Sequence, residues 1–182
     1  MLLIDALDGM FKRSIESCLG DSLPDGGWYI SPIQNTDGVE VNEAIFLTIC
    51  SHQFRIFLTL HFDVEKCTSF YRKALKISAE DVSDQSVYDF LYEVGNSICG
   101  VLKRDLGTSI PALGMSTPNL LSQGCFDFIS VFDVVKSGNY SVEVDSDFVL
   151  YAGYFYCRSD DVEIEVVEQS VDDVESGELE FF

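Results

Sequence analysis

Glu93 and Asn96 stand three residues apart, with Asp89 four residues before the first and Gly100 four residues after the second. On a helix, at about 100° per residue, these four positions fall within roughly 60° of one another and form one polar strip. A carboxylate in such a strip can pair with a cation. A carboxamide can both donate and accept hydrogen bonds without any change of charge. The bland alternative is a solvated helix face. Gly100 argues for more, because a glycine inside a helix costs about 1 kcal/mol relative to alanine. Its place on the polar strip, where core packing does not ask for it, implies that something approaches the helix closely there. Gly95 and Cys99 lie to the side of the strip and add little to this reading.

The strip needs a long helix, and residues 84–106 predict one, with Val87, Phe90, Leu91, Val94, Ile98, Val101 and Leu102 on a broad apolar face. Residues 3–18 predict a second amphipathic helix stopped by Gly20, and 64–76 a short third. Runs 39–50 and 53–62 are rich in Val, Ile, Phe and Thr and predict neighbouring antiparallel strands. Runs 126–135 and 140–157 are again β-rich, with Lys136-Ser137-Gly138-Asn139 as the turn between them. Between 21 and 35, Pro24, Asp25-Gly26-Gly27 and Pro32 leave room only for short or edge strands. This irregular order of helices and strands predicts an α+β fold, an antiparallel sheet with helices packed on it.

Charge divides the chain. All 11 Lys and Arg fall within residues 1–158, whereas 10 of the 31 Asp and Glu follow Arg158, so half of the net charge of −20 sits in the last 24 residues. The expected organisation is one domain, 1–158, and an acidic C-terminal tail, 159–182. Alternation of Val162, Ile164 and Val166 with acidic residues allows part of the tail to form an edge strand. Phe181-Phe182 could anchor a docking peptide.

A surface this acidic repels phosphate backbones and anionic headgroups, so neither nucleic acid nor membrane is an expected partner. The N-terminus meets Asp5 at once, without a basic region or an apolar run of signal-peptide length, which predicts a cytoplasmic protein. Six cysteines, at 18, 50, 67, 99, 125 and 157, never approach a C-x-x-C spacing and read as small buried hydrophobes.

The order Asp89, three residues, Glu93, two residues, Asn96, followed by Pro118 in Gly114-Met115-Ser116-Thr117-Pro118, resembles the motif of the CheX/CheC/FliY chemotaxis phosphatases. The segment Asn96-Ser97-Ile98-Cys99-Gly100 is similar to the helix of that family. The resemblance implies an antiparallel α+β fold. It also implies a hydrolase acting on the aspartyl phosphate of a CheY-like response regulator. In that mechanism the Asn96 amide enters the regulator's site and orients a water, and Glu93 pairs with a regulator lysine. Asp89 and Gly100 would belong to the recognition surface, and Pro118 would fix the loop beside the helix. No cofactor of its own is implied, and magnesium is expected in the partner regulator. Only one copy of the motif is present, as in the single-site CheX type, which implies a homodimer joined through sheet edges.

Two rival readings remain at this level. One is a module of the same fold that captures a phosphorylated regulator or a flagellar-switch component without turning it over. The other is a metal- or cysteine-dependent hydrolase using His52 and His61 on adjacent predicted strands, although two isolated histidines without matching ligands are more often structural.

Overall fold

The computed structural model describes residues 1–34, 41–158 and 162–164. Among the described residues, seven strands form a single antiparallel sheet: β1 Trp28–Ile33, β2 Glu43–Cys50, β3 Phe54–Phe62, β4 Gly114–Met115, β5 Asn119–Ser122, β6 Val134–Val144 and β7 Asp147–Arg158. The spatial order is β1-β6-β7-β3-β2, after which β4 and β5 both pair with β2 at successive stretches of the same edge. Three helices accompany the sheet, α1 Leu3–Ser22, α2 Val64–Leu75 and α3 Asp84–Gly107.

The strand pattern sorts the core into two sides. Ile56, Leu58, Leu60 and Phe62 of β3 join Ile45, Leu47 and Ile49 of β2 in the core under the helices. The alternate residues Phe57, Thr59 and His61 point to the other face. There a 3₁₀ segment, Gln123–Val131, lies over them, with Phe126 edge-on to His61 and Phe132 edge-on to Phe57. Burial holds the His61 imidazole below its ordinary pKa, while Nδ1 lies 2.7 Å from Gln123 Oε1.

The expected α+β architecture is present, but several local expectations need correction. The α1 helix passes through Gly20 and ends at Ser22. Residues 126–131 are 3₁₀ rather than strand, and β6 begins only at Val134. The hairpin does not turn at 136–139. Those residues are inside β6, and the chain reverses at Asp145 and Ser146, both with positive φ (54° and 71°) between the paired Val144 and Asp147. Two consecutive positive-φ residues match the twist of a tight hairpin, and aspartate tolerates that conformation better than most residues. Gly138 is in the strand for a packing reason. A Cβ there would lie 2.6 Å from Tyr154 Cε1 and 2.7 Å from Asp8 Oδ1.

The acidic segment 159–182 is described only at 162–164, and those three residues belong to the body. Val162 and Ile164 are buried, Glu163 forms a bridge with Leu2, and the Met1 ammonium and carbonyl both bond to Ile164. This is a pairing with the N-terminus rather than an added strand at a sheet edge. The rest of the predicted tail, with Val166, Phe181 and Phe182, lies outside the described residues.

Candidate functional site

The strip stands on α3, and the sequence fixes this helix at its start and along its length. Ser83 caps it, its hydroxyl accepting from the Ser86 N–H, a contact worth about 1 kcal/mol. Val87, Leu91, Val94, Gly95, Ile98, Cys99, Leu102 and Leu106 are buried along one side, against β2, β3 and α1. Phe90 packs edge-on against Phe70 and Tyr71 of α2. The Tyr88 hydroxyl donates to the Glu43 carboxylate of β2, a bond that pushes the phenol up to about 12 and ties the first turns of α3 to the sheet. Held at these points, the helix cannot rotate about its axis without exposing core.

Asp89, Glu93, Asn96 and Gly100 therefore face away from the core, nearly opposite the buried arc. Asp89 and Glu93 are exposed, and Asn96 and Gly100 are partly exposed. Asp89 accepts a hydrogen bond of 2.8 Å from the Gln85 side chain one turn earlier. Among the described residues, neither Glu93 nor Asn96 has a hydrogen-bond or ion-pair partner. Carboxylate and carboxamide are thus both free to meet groups of another molecule. Gly100 faces open space, with no atom within 4 Å of where a Cβ would be. The fold does not require glycine there.

Gly95 is the glycine that the fold does require, contrary to the expectation that it adds little. A Cβ at this position would lie 3.1 Å from Leu47 Cδ1 and 3.4 Å from both Ile45 Cγ2 and Leu60 Cδ1. It sets how closely α3 lies on the sheet. Pro118 lies in the link between β4 and β5. That link is fastened to β2 just before it, where Ser116 Oγ accepts from the Thr48 N–H and the Ser116 N–H bonds back to the Thr48 carbonyl.

Lys103 was not singled out by the sequence pattern, yet it falls on the same side of α3, seven residues after Asn96. The same arithmetic that groups the other four would have found it. The cysteines lie off the strip, and against the expectation that all six are buried, Cys50 and Cys157 are partly exposed and Cys125 is exposed. Burial pushes Cys18 up to about 11 and Cys67 and Cys99 up to about 12, which keeps them as unreactive thiols. His52 lies in the turn before β3 and His61 near its far end, separated by nearly the whole strand. Among the described residues, no three His, Cys, Asp or Glu side chains converge as a metal site would need, and no helix is long and apolar enough to cross a membrane.

No protein-family model and no curated protein matches the sequence. Solved structures do match. The CheX of a CheX-CheY-BeF3-Mg complex from Borrelia burgdorferi superposes with a TM-score of 0.67 at 16% identity, over 85% of this chain and 99% of that one. A CheC-like superfamily protein from Shewanella sp. PV-4 gives 0.62 at 14% identity, over 81% and 95%. The FliM middle domain of Vibrio alginolyticus gives 0.55 at 8% identity, over 82% and 90%. The chain has the fold of the CheX and CheC-like chemotaxis proteins.

Proposed function

We propose that the protein is a member of the CheX/CheC phosphatase group that hydrolyses the aspartyl phosphate of a CheY-like response regulator. The observation that carries this reading is the outward strip of α3, where Glu93 and Asn96 share one face and lack any partner within the described residues. The chemistry fits an acyl phosphate. Water oxygen bonds to phosphorus, the bond from phosphorus to the aspartyl oxygen breaks, and the aspartate leaves as a carboxylate while the water's proton passes to inorganic phosphate. Such a reaction needs a positioned water and compensation of charge more than a new covalent group.

Asn96 would orient that water through its amide, its carbonyl accepting a hydrogen bond from the water and holding the water's oxygen toward phosphorus. Glu93 would pair with a lysine of the regulator and set the register of α3 over the phosphorylated residue. Asp89, held by Gln85, and the bare backbone at Gly100 would complete the docking surface, and Pro118 would hold the nearby chain against β2. Magnesium bound by the regulator would neutralise charge on the transferred phosphoryl group. This chain would supply no metal of its own. A cytoplasmic location and a homodimer joined through a sheet edge belong to the same reading, and light scattering of the purified protein tests the latter.

The decisive experiment follows phosphate release from a receiver-domain regulator phosphorylated with acetyl phosphate. Wild-type protein should accelerate the loss, and Asn96→Ala protein should not. Equal rates for the two would remove the reading. Binding without turnover is the second reading, favoured by the likeness to a FliM middle domain, which has the same fold under a different name. It predicts that wild type binds the phosphorylated regulator and slows or leaves unchanged its dephosphorylation.

A further inference from the structure

Charge is distributed unevenly along α3. Asp84, Asp89 and Glu93 stand in its first half, and Lys103, Arg104 and Asp105 near its end. Within residues 1–158 acidic groups outnumber basic ones by 21 to 11, so positive charge is the minority on this surface. Lys12, Lys73 and Lys76 are paired with Glu16, Asp145 and Asp25, and Lys136 donates to the Ile4 carbonyl. Lys103 has no hydrogen-bond or ion-pair partner among the described residues.

Its geometry suits the strip. Helical side chains lean toward the helix N-terminus, so a Lys103 stem can reach back along the turn that contains Cys99 and Gly100. Gly100 puts no side chain in its way and leaves that surface open. Asn96 and Lys103 are seven residues apart, about 10 Å along the axis, and a lysine stem spans about 6 Å of that. The ammonium can thus come near the level of the Asn96 amide, across a bare patch of backbone. Lys103 is half-buried, which fits a stem lying along the helix with its charge in water.

We propose that Lys103 supplies the positive charge that draws the regulator's phosphoryl dianion to Asn96, so that the protein discriminates phosphorylated from unmodified regulator. The inference rests on the phosphatase reading and deepens it. Lys103 acts on the encounter and on ground-state binding of the dianion, whereas Asn96 acts on the water.

The test uses full-length protein with Lys103→Met, which keeps an apolar stem, Lys103→Glu, and Lys103→Arg. Thermal melts check that each variant is folded. At low salt Lys103→Met should lower kcat/KM about tenfold through KM, Lys103→Glu should lower it further, and Lys103→Arg should stay near wild type. The difference should shrink as salt rises and screens the pair. Affinity for beryllofluoride-loaded regulator should fall, and affinity for the unmodified regulator should not. Lys103→Glu protein equal to wild type at low salt, or an equal loss of affinity for loaded and unmodified regulator, would overturn the inference. In that case a surviving difference between wild type and Asn96→Ala shows that the phosphatase reading still stands. Wild type equal to Asn96→Ala would overturn both.

Discussion

Two glycines five residues apart on α3 occupy opposite situations. Gly95 lies buried against Leu47, Ile45 and Leu60, with no room for a larger side chain, whereas Gly100 faces open space. The first is explained by the fold, because it lets the helix approach β2 and β3 closely. Nothing among the described residues explains the second, which carries the roughly 1 kcal/mol cost of glycine in a helix without a packing return. The contrast separates the two sides of one helix, the inward side set by the core and the outward side clear of packing.

The same substitution at both positions is the strongest way to break this comparison. Gly95→Leu should destabilise the fold by about 3 kcal/mol, since overpacking must push α3 off the sheet, and a denaturant titration reads this directly. Gly100→Leu should leave stability unchanged or raise it by about 0.8 kcal/mol, while blocking regulator dephosphorylation. Full activity in Gly100→Leu protein would mean that no partner surface approaches that turn.

Along the outward side the effects should grade by role. Asn96→Ala should cut accelerated phosphate release about 100-fold, as expected for losing a group that positions the reacting water, with an unchanged melting temperature. Glu93→Ala should act mainly on binding, raising KM about tenfold as for a lost charge-assisted contact, with a smaller effect on kcat. A kcat loss at Glu93 equal to that at Asn96 would instead make the carboxylate part of the chemistry. The smallest effect belongs to Gly100→Ala, whose methyl should stabilise α3 by about 1 kcal/mol and reduce activity only a few-fold.

Much of the strip was legible because helical periodicity is local. Asp89, Glu93, Asn96 and Gly100 share a face whatever surrounds the helix, provided the helix forms, and the apolar series from Val87 to Leu102 requires that it does. Lys103 follows from the same arithmetic. The role of Gly95 was not legible. Its position on the helix is plain, but the atoms that forbid a Cβ come from β2 and β3, some 35 to 50 residues earlier in the chain. Gly138 misled in the same way. In sequence it reads as a turn, and only Tyr154 and Asp8, brought against it by the sheet and α1, make it a strand residue.

By itself, then, the sequence determined the helices, the α+β class and the order of polar groups along α3, because these depend on propensity and on spacing within one element. The tertiary structure decided which glycine is structural and where the β6–β7 hairpin turns. It also decided that Val162 and Ile164 bond to Leu3 and Met1. Each of those outcomes rests on contacts between residues distant in the chain, whose free energy appears only once the sheet has brought them together.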